Sequence, residues 1–300
     1  MTGNARRAAA LAASLLLLAG CAQGRAGTAI PDGDEAAGYV SAKFTDTLEK
    51  LHDDFQAMKP RKATLDRVFH VNGEGVDVQI STVQVGKPPA ELVRNHSKVD
   101  LNDYTDALYP ATGTTNYTLL GPMYAGLAPT PWVSMPRNFA VGEIGACATG
   151  MYLTPCKMVN AMVKSTKENK AAKSAKRLPD GSVELAVDIT LRTFVEFKIE
   201  LFPDDLIAKF TDEMMNTVIA TKITLTPQNT ASKIEMNGTF SGKSKTGNDA
   251  KIDINYLFQI TEGATEKDIP AIPDASQVTV LPDQGAVDDF NRRRAEIQGR

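Results

Sequence analysis

The sequence predicts an α+β domain: a strongly curved antiparallel sheet, a half-barrel, with helices packed across its concave face. Three observations predict it. First, Val40, Phe44, Leu48, Leu51, Phe55 and Met58 recur at steps of three and four between charged residues, the pattern of an amphipathic helix. Second, apolar and polar residues alternate through Val183 to Leu201, Ile219 to Leu225, Ile234 to Phe240 and Ile252 to Ile260, the pattern of strands with one face buried. Third, the connections between these runs are short, which joins neighbours antiparallel and leaves no room for crossover helices.

Composition narrows the function. A chain of 300 residues, 42% hydrophobic and 23% charged, can bury a core without staples. A net charge of -3 excludes a general nucleic-acid binder, which needs a broad basic surface. Three His, three Cys, one Trp and 6% aromatics supply His-rich metal sites, haem pockets and stacking platforms poorly. The composition leans towards a binding or structural protein.

The N-terminus sets the address. Arg6 and Arg7 precede an apolar run from Ala8 to Leu18, shorter than the roughly 20 residues a transmembrane helix needs but suited to a signal-peptide core. It ends in Leu18-Ala19-Gly20-Cys21, which resembles the lipobox of bacterial lipoproteins. Residues 1–20 then read as a signal peptide and 21–34, rich in Gly, Ala, Asp and Pro, as a flexible tether. A lipid of two or three chains on Cys21 anchors durably, because each buried methylene contributes about 0.8 kcal/mol and one chain alone is marginal. Cys147 and Cys156 remain as an even pair, and in an oxidising compartment a disulfide that closes so short a loop contributes on the order of 2–3 kcal/mol.

A single domain is expected over 35–282. Its first helix ends at Pro60. Val68 to Val71 and Val76 to Val85 flank Asn72-Gly73-Glu74-Gly75, a hairpin turn, and Pro88-Pro89 ends the second arm. Asn95 to Asp106 is polar and reads as a loop or weak element. Asn116 to Leu120 and Pro131 to Met135 read as short strands, and Gly121 to Pro131 as a packed loop or lid. A second helix is expected from Cys156 to Lys176. Its basic later half, Lys164 to Arg177, reads either as a solvated helix end or as a contact with anionic headgroups. Val183 to Leu201 reads as one long strand or two joined near Thr193. Pro203-Asp204 opens a short helix with Asp204-Asp205 as its cap. Three strands follow, the last two joined by a hairpin turn at Ser241 to Asp249, then a short strand at Val278 to Leu281. The polar tail 283–300 is expected to be disordered.

No motif specifies catalysis. A Gly-x-Ser-x-Gly elbow, a phosphate loop and a dinucleotide fingerprint are absent from the sequence, and no cofactor is expected. His52, His70 and His96 read as surface or turn residues. The order of elements, with Leu18-Ala19-Gly20-Cys21, Tyr117-Thr118-Leu119-Leu120-Gly121 and Trp132-Val133-Ser134-Met135-Pro136, resembles actinobacterial cell-envelope lipoproteins of the LolA/LprG-like carrier type. That resemblance implies a half-barrel that holds a lipid or glycolipid between sheet and helices. Tyr117, Trp132, Val187, Ile189, Phe197, Phe210, Phe240, Tyr256 and Phe258 are the candidate liners of such a cavity. Two rivals stand beside it: a tethered scaffold for another envelope protein, with a filled core, and an envelope hydrolase with a polar cleft at His70, His96 or Asp100. The anchor has its own test. Cys21→Ala is expected to move the protein from the detergent phase to the aqueous phase in phase partitioning, and unchanged partitioning overturns the lipobox.

Overall fold

Asn72 and Gly73 take positive φ, 53° and 87°, and so close a two-residue hairpin with Val71 opposite Glu74. The ladder that starts there belongs to a sheet of thirteen strands. The computed structural model describes residues 59–137, 153–168 and 173–298, together with 42–44, 46, 47, 50, 53 and 57. The expected signal peptide, tether, Cys21 and Cys147 lie outside the described residues, as does His52.

The strands are β1 (Arg61–Val71), β2 (Glu74–Val85), β3 (Ala90–Ser97), β4 (Tyr104–Tyr109), β5 (Thr115–Leu120), β6 (Trp132–Pro136), β7 (Lys173–Arg177), β8 (Val183–Val187), β9 (Ile189–Thr190), β10 (Val218–Leu225), β11 (Ala231–Lys243), β12 (Asp249–Glu262) and β13 (Val278–Val280). Their order is β13-β6-β5-β4-β3-β2-β1-β12-β11-β10-β8-β7, with β9 beside β10. Every pairing is antiparallel except β13 with β6. Among the described strands β13 and β7 are the two ends of this order and do not pair, so the α+β half-barrel expected from the sequence is the fold observed. Helical residues at 42–44, 46, 47, 50 and 53 form α1, and α2 (Leu153–Thr166), α3 (Leu191–Glu196), α4 (Asp204–Ile207), α5 (Asp212–Met215) and α6 (Gln284–Ile297) follow.

Cross-strand partners share a face, so register defines the inner side. One row runs Leu185, Ile223, Ile234, Phe258, Leu65, Ile80 from β8 to β2. Its β8–β12 half lies under α2, which packs on β8, β9 and β11, and under α5, which packs on β11. Phe44 of α1 joins the same core with no exposure. At the far end Leu120 and Val133 form a second cluster with Tyr124, Leu127 and Phe290.

Several expectations fail for local reasons. Asn95 to Asp106, expected as a loop or weak element, contains the end of β3 and the start of β4, whose backbone groups pair along the ladder and where the outward His96 and Asp106 side chains pair with each other. The second helix stops at Thr166, and the basic residues 173–177 form the edge strand β7. An edge rich in Lys resists further strand addition. Within the basic stretch Lys164 pairs with Glu196, and the Lys173 ammonium donates to the Thr166 carbonyl at the end of α2.

Leu191 to Glu196 is helix rather than strand. The Thr190 hydroxyl accepts from the Thr193 amide at 3.2 Å and so caps α3. Phe194 sits at an even position that a strand would turn outward, whereas the helix buries it beside Leu191. Asp204 and Asp205 lie in the first turn of α4 and do not cap it. The run expected as one helix divides into α4 and α5. The turn expected at Ser241 to Asp249 is tighter, since β11 extends to Lys243 and β12 begins at Asp249.

The tail from 283, expected to be disordered, is helical as α6. The Asp283 carboxylate accepts from the Ala286 amide at 2.9 Å, and Val287 and Phe290 are buried at helical spacing. Phe290→Ala is expected to destabilise the domain by about 3–5 kcal/mol in urea unfolding, because it empties a fully buried aromatic site. A loose tail predicts no change.

Candidate functional site

The inner face carries most of the predicted liners. Val187, Ile189, Phe210, Phe240, Tyr256 and Phe258 are buried members of one core, and Phe197 packs against it. Tyr117 and Trp132 are placed elsewhere. In β5 and β6 the inward residues include Thr118, Leu120 and Val133, so strict alternation turns Tyr117 and Trp132 to the opposite face. Tyr117 stands across from Leu108 and Ser134 there, and Trp132 across from Leu119 and Val278.

At the C-terminal end of this face the aromatics form a connected set. Phe202 meets Phe69, Phe194 and Phe210 edge-on with ring centroids 5.1, 6.3 and 5.9 Å apart, and Phe194 meets Tyr256 at 5.8 Å. Such pairs contribute about 0.5–1.5 kcal/mol each beyond the area they bury. One polar group is built into them. The fully buried Tyr256 donates its hydroxyl hydrogen to Glu200, and the Arg67 Nε lies 3.6 Å from the same carboxylate oxygen. Burial pushes the Tyr256 phenol up, and the Glu200 charge pushes it further, so it remains a neutral donor.

Between α2 and the strands lies a small open pocket of about 40 Å³, lined by Ala63, Leu65, Ile80, Thr82, Val93, Thr154 and Phe258. Only Phe258 among the predicted liners borders it. Ligand sites typically enclose about 300–1,000 Å³, so this pocket is a seam between sheet and cover rather than a formed cavity.

The polar residues considered for catalysis do not converge. The His96 Nε2 lies 2.7 Å from the Asp106 carboxylate, with its ring against Tyr104. His70 stands across from Asp253 on another pair of strands. The Asp100 carboxylate accepts from the Asn102 amide at 2.9 Å and so serves its own turn. Among the described residues no three His, Cys, Asp or Glu side chains come together as a metal site, and no helix is long and apolar enough to cross a membrane. Cys156 is buried on α2.

Sequence reasoning missed a polar row at the other end of the inner face, where Arg61, Gln84, Glu91 and Tyr109 stand on successive strands β1 to β4. Each sits in its own short segment, and only pairing brings them together.

The fold is therefore that of an open, mostly antiparallel sheet whose inner face is covered by helices at both ends. No protein-family model and no curated protein matches the sequence. Among solved structures the chain is similar to LprF from Mycobacterium bovis, at 10% identity and a TM-score of 0.37, over 78% of this chain and 97% of that one. It is also similar to a DUF1329 family protein from Desulfovibrio piger, at 6% identity and a TM-score of 0.24, over 77% of this chain and 95% of that one. Likenesses at these scores carry nothing about ligand or activity.

Tyr256→Phe is expected to cost about 2 kcal/mol in thermal or urea unfolding, the range for a lost hydrogen bond to a charged acceptor. Loss of less than about 0.5 kcal/mol overturns the assignment of that contact as structural.

Proposed function

We propose that the protein is a membrane-anchored extracytoplasmic lipoprotein that binds or carries a lipid or glycolipid. Lipid on Cys21 holds it at the membrane, and acyl chains lie between the inner face of the sheet and its helical covers. The observation that carries this reading is the seam at Leu65, Ile80, Val93 and Phe258, where apolar side chains line an opening between α2 and the sheet. At about 40 Å³ the seam is smaller than an acyl chain, so this reading requires α2 to move aside as a chain enters. Each methylene sheltered there contributes about 0.8 kcal/mol. Cys156, buried on α2, pairs in this reading with Cys147 and ties the helix to the segment before it.

The filled aromatic core favours a second reading, a tethered scaffold that binds another envelope protein. In it Phe194, Phe202, Phe210 and Tyr256 never separate, and no ligand enters.

Native mass spectrometry of the chain from Gln23 onward, secreted into an oxidising compartment and followed by solvent extraction, separates the two. An added mass that extracts into organic solvent is the result expected. A clean apo mass overturns lipid carriage in favour of the scaffold. In either case a mass two protons below the reduced formula supports the Cys147–Cys156 bond.

A further inference from the structure

Two large aliphatic side chains stand in water on a single turn. Between β3 and β4, Val99 is 80% exposed and Leu101 is 87% exposed. The turn is held by its backbone and not by them. The Val99 and Asp100 amides donate to the Ser97 Oγ at 3.3 and 3.1 Å. The Asp103 amide donates to the Asp100 carbonyl at 3.0 Å, and the Ser97 amide to the Asp103 carbonyl at 2.9 Å. Two further bonds fix the turn to its surroundings: the Lys98 amide donates to the Asp77 carbonyl at 2.8 Å, and the Met123 amide to the Asn102 carbonyl at 3.1 Å. A fixed tip therefore presents apolar surface that the fold itself does not bury.

Register places this tip on one rim of the sheet. Ser97 stands across from Val78, and Val78 across from Arg67, near the turn that joins β1 to β2. Leu201, 73% exposed, belongs to the same rim, since its neighbour Phe202 meets the ring of Phe69, two residues from the end of β1. The opposite rim is different. Its turns at 86–89, 110–114, 178–182 and 226–230 carry none of the large hydrophobic side chains that are exposed among the described residues.

The charges beside the tip are matched locally. The Lys98 Nζ lies 2.8 Å from the Asp66 carboxylate, Asp100 accepts from the Asn102 amide, and Asp103 accepts the hydroxyl hydrogen of Tyr124. Such a tip does not call for a partner of opposite charge. A stable protein interface buries about 800 Å² on each side and is anchored by aromatic and Arg side chains, which two aliphatic residues on a narrow turn do not supply. A bilayer interface accepts apolar side chains of any outline. Reach does not decide between the rims. The chain from Cys21 to Ala42 extends at most about 70 Å, against about 45 Å for β12, the longest strand with 14 residues.

We infer that the β3–β4 tip inserts Val99 and Leu101 into the surface of a lipid bilayer and turns this rim of the sheet towards the membrane. The inference rests on the reading of the protein as held at a membrane.

The test replaces the Cys21 lipid, so that the two do not fail together. The chain from Gln23 onward, with an N-terminal hexahistidine, is held on phosphatidylcholine vesicles that contain a nickel-chelating lipid. Leu101→Trp then reports insertion, after subtraction of the Trp132 signal of the unsubstituted chain. Phosphatidylcholine brominated near the headgroup end of its acyl chains is expected to quench Leu101→Trp at least twofold and to leave Gln228→Trp, on the opposite rim, unchanged. Val99→Asp added to Leu101→Trp is expected to remove at least half of that quenching. Both positions are exposed, and an unchanged urea midpoint shows that the fold survives. Equal quenching of Leu101→Trp and Gln228→Trp overturns the inference. So does a dimer in sedimentation velocity that Leu101→Asp dissolves, which assigns the tip to a second copy of the chain. Failure of Cys21 lipidation or an apo mass in the lipid extraction leaves the quenching result standing.

Discussion

The long antiparallel ladder between β1 and β12 is the constraint on which the rest of the structure depends. It runs from Arg61 opposite Glu262 to Val71 opposite Ile252 and joins the N-terminal strands to the C-terminal ones. Because side chains alternate with a period of two, this single register decides which face of both groups points inward. Leu65 meets Phe258, and Ala63 meets Ile260, only in this alignment. A slip of one residue would place the whole β1 row under solvent and strand the helices over a polar surface.

The two ends of the inner face are built from different chemistry. Under α2, α3 and α5 it is apolar, closed by aromatic rings at edge-on angles. Towards β3 to β6 it becomes polar and carries Gln84, Glu91, Tyr109 and Arg137. The seam at Ile80 and Val93 lies at the boundary. An amphipathic molecule has the same division, and the proposed carrier function fits the face in that sense. The C-terminal chain completes the arrangement. It adds β13 beside β6 and returns as α6 to bury Phe290.

How much was legible varied with the range of the interaction. The hairpin at Asn72-Gly73, the strands β10, β11 and β12, and the first helix were legible because local pattern and turn chemistry carry them. Residues 191–196 were not, because Leu191, Val195 and the neighbouring odd positions satisfy the strand period as well as the helical one. Phe194 was the available signal. An apolar residue at an even position contradicts a strand and completes a helical face. The tail misled for a related reason: it docks through the buried Val287 and Phe290, and composition over eighteen polar-rich positions hides two residues. Tyr117 and Trp132 were chosen as aromatics, yet which face an aromatic occupies follows from parity with its neighbours.

The sequence by itself determined the α+β class, the antiparallel connections and the amphipathic faces, because these follow from periodicity and from turns of a few residues. Only the tertiary structure decided the helix at α3, the docking of α6 and the polar row of Arg61, Gln84, Glu91 and Tyr109 across β1 to β4. Those depend on which strands are neighbours and which face a residue takes in the assembled sheet. No local window of sequence holds that information, because it is set by pairing between segments far apart in the chain, above all by the alignment of β1 with β12.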